Sequence, residues 1–422
     1  VRTTKEYGES TVAKILEMVE DASDRKSKSE NFIKKFARYY TPCVVIGAVI
    51  LAIVPSIIWG GFTSWLTSAL TFLVVSCPCA LVISVPLAFF CGIGGASRKG
   101  ILIKGSDYLE ALTKTGVAGF DKTGTLTKGV FEVTAIHPDD CDADTLLHLA
   151  AHVERYSTHP IAVSLRQAYP HEADSCDVEN LTEISGQGVT ATVNGKRISV
   201  GNTLLMDSVG AKWHPCHHVG TTIHVAIDGE YAGHIIVSDK VKNDAASAIA
   251  ELKALGVEKT VMLTGDRNEV AEIIAKELKL DEYHADLLPA DKVAAVEKLA
   301  QTKPAGKTLV YAGDGINDAP VLARADVGVA MGALGSDAAI EAADVVLMDD
   351  KPSKLASAIK IARFTLGIVK QNIVLSLLVK FAVLILAMFG KAPMWLAVFA
   401  DVGVTVLAVL NSMRASSYNP DK

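Results

Sequence analysis

Four apolar runs, at residues 40–60, 66–95, 368–390 and 393–410, constrain this chain more than any other feature. A membrane helix needs about 20 such residues. Backbone groups in hydrocarbon must be satisfied internally, so a spanning run must be helical. The runs pair as two hairpins over short connections at 60–64 and 390–393. Lys34, Lys35 and Arg38 precede the first run, and Arg98, Lys99 and Lys104 follow the second. Arg363 and Lys370 lie at the start of the third, Arg414 follows the fourth, and only Lys391 falls on the opposite side. This basic asymmetry predicts that residues from about 98 to 363 are cytoplasmic. Half of the 422 residues are hydrophobic, yet 21% are charged, so a membrane anchor joined to a soluble portion is expected. The net charge of −6 argues against a nucleic-acid partner.

The second run contains "VVSCPCALVISVP", residues 74–86. Pro78 removes a helical hydrogen bond and unwinds a turn. Irregular backbone at membrane depth is tolerated where it lines a site buried in protein. Cys77 and Cys79 can there present soft thiolates to one ion, the alternative being two packed cysteines beside a kink. Lys380 and Asp401 fall inside the third and fourth runs, where charge is costly and points to paired, functional groups. The seven cysteines show no disulfide framework, and Cys43, Cys91, Cys141 and Cys176 read as packing residues. His214, Cys216, His217 and His218 form a compact run that could bind metal, or simply a polar loop.

Between the membrane runs, short apolar strands alternate with amphipathic helices, which predicts a parallel sheet. Polar residues close four of those strands, placing a site on the carboxyl edge. "DKTGTLTKG" (121–129) sets Asp121 at a strand end beside Lys122 and the turn beginning with Thr123. A carboxylate there suits nucleophilic attack on phosphorus, with loop N–H groups cradling the oxygens. "LTGDR" adds the Thr264 hydroxyl and Asp266, and "GDGINDAP" adds Asp314, Asn317 and Asp318. Phosphoryl transfer needs Mg²⁺ held by hard oxygen ligands, and Lys292 supplies a further cation. From Thr127 to about Val237 the texture changes to short strands with glycine-rich turns, an α+β domain inserted after the first strand.

These strings resemble the P-type ATPases, whose phosphorylation domain is an α/β haloacid-dehalogenase-like Rossmannoid fold. The resemblance implies that Asp121 is the phosphorylated aspartate and that Asp314 ligates Mg²⁺, together with Asp121 and Thr123. It implies phosphate-site roles for Lys122, Thr123, Thr264, Asp266, Lys292, Asn317 and Asp318. Related phosphatases carry an acid/base Asp two residues after the nucleophile; here that position is Thr123, so an acyl phosphate should persist. The insertion resembles that of the heavy-metal (type IB) subgroup, through Glu154 and His159-Pro160, through Gly186 and Gly188, and through Gly201-Asn202. These residues are expected to hold ATP, with Glu154 and His159 at the adenine end.

The copper-exporting relatives place Tyr-Asn and a Met where this chain has Val379-Lys380 and Asp401. A carboxylate in place of a thioether favours a borderline divalent ion. The pattern is similar to the Zn²⁺/Cd²⁺/Pb²⁺ exporters, with Cys77, Cys79 and Asp401 as ligands and Lys380 as counter-charge. The family's Thr-Gly-Glu actuator loop does not occur in the sequence, and residue 1 is Val, so the chain reads as part of a longer pump whose full turnover needs that actuator. The expected organisation is an actuator tail and linker helix (1–36), a hairpin with the CPC helix (37–97), and the first part of the phosphorylation domain (98–127). The nucleotide-binding domain (128–237), the second part of the phosphorylation domain (238–358), a second hairpin (359–414) and a tail (415–422) follow. A lipid-embedded, multi-pass monomer in the cell membrane is expected. The alternatives are a Cu(I) exporter, a membrane-tethered phosphohydrolase without transport, which needs an acid at 123, and a non-enzymatic metal-binding fragment, which the intact DKTGT argues against.

Overall fold

The fold is taken from a computed structural model. It describes residues 28–76, 79–157, 159–169, 176–184, 186–216, 220–314, 318–332, 337–388 and 393–420. The chain begins with helices α1 (Lys28–Trp59), α2 (Phe62–Ser76) and α3 (Cys79–Ser97). Strand β1 (Ile101–Ile103), α4 (Ser106–Leu112), β2 (Thr115–Asp121), a tight turn over Lys122–Leu126 and β3 (Thr127–Pro138) follow. Next come α5 (Ala143–Val153), α6 (Pro160–Ala168), β4 (Val178–Ile184), β5 (Gly188–Val193) and β6 (Lys196–Gly201). Then come α7 (Thr203–Val209), β7 (Thr221–Ile227), β8 (Glu230–Val241), α8 (Ala245–Ala254), β9 (Lys259–Leu263), α9 (Asn268–Glu277) and β10 (Glu282–His284). The third stretch holds α10 (Pro289–Thr302), β11 (Thr308–Gly313), α11 (Ala319–Leu322), β12 (Val327–Met331), α12 (Asp337–Ala342) and β13 (Val345–Leu347). Helix α13 (Ser353–Met388), α14 (Met394–Val398), a π turn (Phe399–Gly403) and α15 (Val404–Ser417) complete it.

One sheet has seven strands in the order β1-β13-β12-β11-β2-β9-β10. Its pairs β9/β10, β11/β12 and β12/β13 are parallel, as the strand–helix alternation predicts, and β1 at the edge is antiparallel to its neighbour β13. Every residue of β2 is buried, the pattern of a central parallel strand covered on both faces. By contacts the chain divides into two compact units, residues 1–119, 247–260 and 291–422, and residues 120–246 and 261–290.

The first unit holds the apolar helices. Among the described residues, three helices are long and apolar enough to cross a membrane, over Tyr40–Trp59, Ala80–Ser97 and Ser353–Leu386. Val45, Ile46, Val49, Ile50 and Ile53 of α1 are exposed, an arrangement stable against lipid but not against water. Helix α3 packs on α13 and α15 through small residues. A Cβ at Gly92 would sit 2.4 Å from Thr365 Oγ1, and one at Gly95 would sit 2.9 Å from the Ala415 carbonyl.

Two expectations for these helices change. The fourth apolar run is helical but not regular: the backbone stays helical through Val398, Phe399, Gly403 and Val404, and a one-residue widening at 399–403 marks a π turn between α14 and α15. The third run is not separate from the preceding segment either, since α13 continues unbroken from Ser353 across the expected boundary at 358. Likewise α1 crosses the expected boundary at 36, while residues 1–27 lie outside the described residues.

The second unit carries a six-stranded antiparallel sheet in the order β3-β8-β7-β6-β5-β4. Helices α5 and α6 cover one face, with Leu146, Leu165, Ile198, Val225 and Ile235 in the core. Strands β3 and β8 pair from Thr127↔Val241 to Pro138↔Gly233, so the insertion closes at 127 and 241. The sheet therefore overruns the expected limits of 128–237, because the two strands that lead in and out are each other's ladder partners.

Candidate functional site

Asp121 is the last residue of β2 and is buried. The chain then turns through Gly124, whose φ of +71° is open to glycine and strained for any side chain. Lys122 is buried, with its Nζ 2.7 Å from Asp266 Oδ2 and 3.5 Å from Asp239 Oδ2. Asp239 also accepts from the Gly129 N–H at 3.0 Å and from the Thr127 hydroxyl. Thr127 Oγ1 lies 2.9 Å from the Lys122 carbonyl, and Lys242 donates to the Gly124 carbonyl at 2.5 Å. The loop after Asp121 is thus clamped from both ends by side chains of the β8 strand and its exit. Thr264 is buried and its Oγ1 accepts from the Asp266 N–H at 3.1 Å, fixing the turn that aims Asp266 at Lys122.

A cleft of about 1300 Å³ opens in the same unit. Lys122, Thr123, Asp266, Arg267 and Lys240 line it, together with Asn202, Trp213 and His224. Burial, with His234 and His214 beside it, pulls His224 down to about 4.

The residues expected to hold ATP fall on adjoining elements of the insertion. Asn202 caps α7, its Oδ1 accepting from Leu205 N at 3.2 Å, while its Nδ2 donates to the Gly186 carbonyl at 2.8 Å. Gly188 and Gly201 are opposite each other in β5 and β6. A Cβ on Gly188 would lie 2.2 Å from the Val200 carbonyl, and one on Gly201 would lie 2.2 Å from the Gln187 carbonyl. Chain packing alone demands both glycines. His159 caps α6, its Nδ1 accepting from Ile161 N at 3.3 Å. Glu154, at the end of α5, is buried. Burial raises its carboxyl above the ordinary value, against the Ser157 hydrogen bond and the nearby His159, which lower it.

In the other unit, Lys292 Nζ lies 3.2 Å from Asp318 Oδ1, with both side chains largely buried. Asp318 presses on the end of β11: a Cβ on Gly313 would meet its Oδ2 at 2.8 Å. Asp314 follows β11 directly, and Asn317 lies outside the described residues. Among the apolar helices, Lys380 of α13 donates to Asp401 Oδ1 at 3.0 Å. Asp401 sits in the π turn, and the Thr405 hydroxyl donates to its backbone carbonyl at 2.6 Å. Cys77 and Pro78 lie outside the described residues; Cys79 opens α3. Helix α2 is described to Ser76 and α3 from Cys79.

A haloacid dehalogenase-like hydrolase family signature matches residues 116–326. The chain is 56% identical over 417 residues to a cadmium, zinc and cobalt-transporting ATPase of Bacillus subtilis (strain 168), covering 98% of this chain and 59% of that protein. It is 50% identical to a zinc-transporting ATPase of a Synechocystis strain, covering 98% of this chain and 58% of that one. The crystal structure of a zinc-transporting PIB-type ATPase in its E2.Pi state superposes with a TM-score of 0.81 at 39% identity, over 97% of this chain and 68% of that one. The chain belongs to the PIB-type ATPases. It spans about three-fifths of the length of the curated relatives it matches.

Within this PIB-type ATPase, sequence reasoning missed Asp239 and Lys242. Both lie in "VSDKVKND", which reads as the charged end of a strand and carries no distinctive motif. Their role emerges only because β8 returns beside β3 and the turn that precedes it. Cys176 packs against the core of the insertion, as expected, and its Sγ also lies 3.3 Å from His148 Nε2.

Proposed function

We propose that this chain carries the phosphorylation, nucleotide-binding and ion-binding parts of a pump that exports a divalent metal, Zn²⁺ or Cd²⁺, at the expense of ATP. The ion pair of Lys380 with Asp401 inside apolar helices carries the reading. Charge inside apolar helices is costly and marks a functional site, here read as a metal-binding carboxylate with its counter-charge. Cobalt occurs beside cadmium and zinc in the name of the Bacillus relative; lead rests on the sequence pattern alone.

Asp121 Oδ attacks the γ-phosphorus of ATP, forming the O–P bond as the bond to the bridging oxygen breaks and ADP leaves. Lys122 is held by Asp239 and Asp266, so the loop presents its N–H groups to the phosphate without reorganising. The family resemblance assigns Asp121 and Asp314 to Mg²⁺, whose binding by hard carboxylate oxygens would neutralise the transferring group. The family resemblance gives Thr264, Lys292, Asn317 and Asp318 phosphate-site roles. Thr123 cannot act as an acid, so the acyl phosphate lasts long enough to be coupled to transport. Glu154, His159, Gly186, Gly188, Gly201 and Asn202 orient the nucleotide.

In the membrane, Cys77, Cys79 and Asp401 bind the ion, two soft sulfurs and one hard oxygen suiting a divalent metal over Cu(I). Lys380 gives up Asp401 to the arriving metal and recaptures it as the metal leaves. The basic flanks orient the ATP-handling domains to the cytoplasm, and the protein acts as a multi-pass monomer. The test is ATPase activity of the full-length protein across Zn²⁺, Cd²⁺, Pb²⁺, Co²⁺ and Cu(I). Zn²⁺ and Cd²⁺ should stimulate turnover, and Asp401→Ala should lose that stimulation while still binding nucleotide. Stimulation by Cu(I) alone would transfer the reading to a copper exporter.

A further inference from the structure

Two strands and a loop of the nucleotide-binding insertion bring two imidazoles and a thiol to one place. His137 in β3 and His234 in β8 are opposite each other in the antiparallel ladder, with ring centroids 5.0 Å apart. Directly opposed residues project from the same face of a sheet. Cys216, from the loop after α7, joins them, and one ligand atom from each of the three lies within 4.8 Å of the others. None of the three belongs to the phosphate, nucleotide or membrane sets described above.

We propose that His137, Cys216 and His234 form a second metal site, in the cytoplasmic insertion, for a borderline divalent cation of the Zn²⁺ class. Two nitrogens and one sulfur select such an ion over Mg²⁺. Three protein ligands with a fourth position open to water make a complete tetrahedral set. The supporting groups are also in place. Tyr231 Oη lies 3.0 Å from His234 Nδ1 and 2.8 Å from His224 Nδ1. With the His234 Nδ1–H donating to Tyr231, and the phenol donating onward to His224, the lone pair of His234 sits on Nε2. An imidazole held through its other nitrogen is the arrangement that orients a metal-binding histidine. Asp139 accepts from His214 Nε2 at 3.0 Å and adds negative charge on the same loop's side. Binding exchanges the Cys216 S–H proton, released to solvent, for a metal–sulfur bond.

Cys216 also lines the cleft, beside Trp213 and Pro215. Metal at this site would tie the loop that walls the cleft to strands β3 and β8. If the chain serves a pump for a borderline metal, as proposed above, it carries a site for that class of ion beside the cleft that Asn202 also lines.

The test uses the full-length protein with Cys77→Ser and Cys79→Ser, which remove the membrane thiolates. Cys176→Ser is added, because His148, His152 and Cys176 form another nitrogen–sulfur group in the same unit. Titration with Co²⁺ is expected to give a thiolate-to-metal charge-transfer band and tetrahedral d–d absorption. Adding the near-isosteric Cys216→Ser should abolish the charge-transfer band, and His137→Ala or His234→Ala should weaken Co²⁺ binding by more than about tenfold. Metal-free thermal midpoints equal to the parent's establish that the variants fold. A band that survives Cys216→Ser, or no band in the parent, overturns the site.

Discussion

Asp121 and Glu154 are both buried carboxylates, and their surroundings put them to different uses. Asp121 ends a strand with a clamped cationic loop beside it, whereas Glu154 sits at a helix end where burial outweighs its Ser157 and His159 contacts. Because its folded-state pKa is raised, Glu154 binds its proton more tightly in the folded chain than in the unfolded one. That contribution to stability is full below the ordinary carboxylate range and is lost as pH rises through the folded-state value. Glu154→Gln, which needs no ionisation, should therefore gain in thermal midpoint relative to the parent as pH is raised from about 4 to about 7. Thermal melts at several pH values read this directly, and a parent-to-variant gap that stays constant with pH would remove the assignment. At this scale Asp121, Thr264 and Asp314 were readable as candidates because each ends or directly follows a strand in a distinctive string. Asp239 and Lys242 were not, because their meaning depends on which strand returns beside the Asp121 loop. Gly188 and Gly201 were legible as necessary, but the reason visible in the structure is backbone crowding at their own pairing.

Elements show the same division. The proline between Cys77 and Cys79 predicts a helix break, and that turn lies outside the described residues. The π turn at 399–403 had no such signal, since an added residue in a helical turn leaves composition and hydropathy unchanged. Its effect is local and chemical: it sets the stretch of backbone from which Asp401 reaches Lys380. A Cβ at Gly403 would lie 2.7 Å from the Phe399 ring, so the glycine lets the turn close on itself. If Lys380 acts by recapturing Asp401, Lys380→Ala should bind Zn²⁺ at least as tightly as the parent but release it more slowly. Turnover would then fall more than affinity. Equilibrium Zn²⁺ binding and steady-state ATPase on the same preparations separate the two, and loss of binding would mean that Lys380 merely supports the fold.

At the scale of the whole molecule, one sheet is built from strands far apart in the chain, with a second, antiparallel sheet inserted between β2 and β9. The alternation of strands and helices predicted the first sheet, and the change of texture after Thr127 predicted the second. The limits of the insertion were misjudged at its far end because Ser238–Val241 continue a ladder that begins at Thr127, a pairing no local pattern reveals. The His137–Cys216–His234 group was only half legible for the same reason: "HPCHH" stood out, but its histidine neighbours come from distant strands. All of this architecture serves one claim, that a carboxylate at the end of β2 takes the γ-phosphoryl group of ATP. The most direct measurement is acid-stable, hydroxylamine-sensitive labelling of the full-length protein from γ-labelled ATP, in the parent and in Asp121→Asn. The account predicts labelling in the parent and none in the variant; label persisting in Asp121→Asn would contradict it.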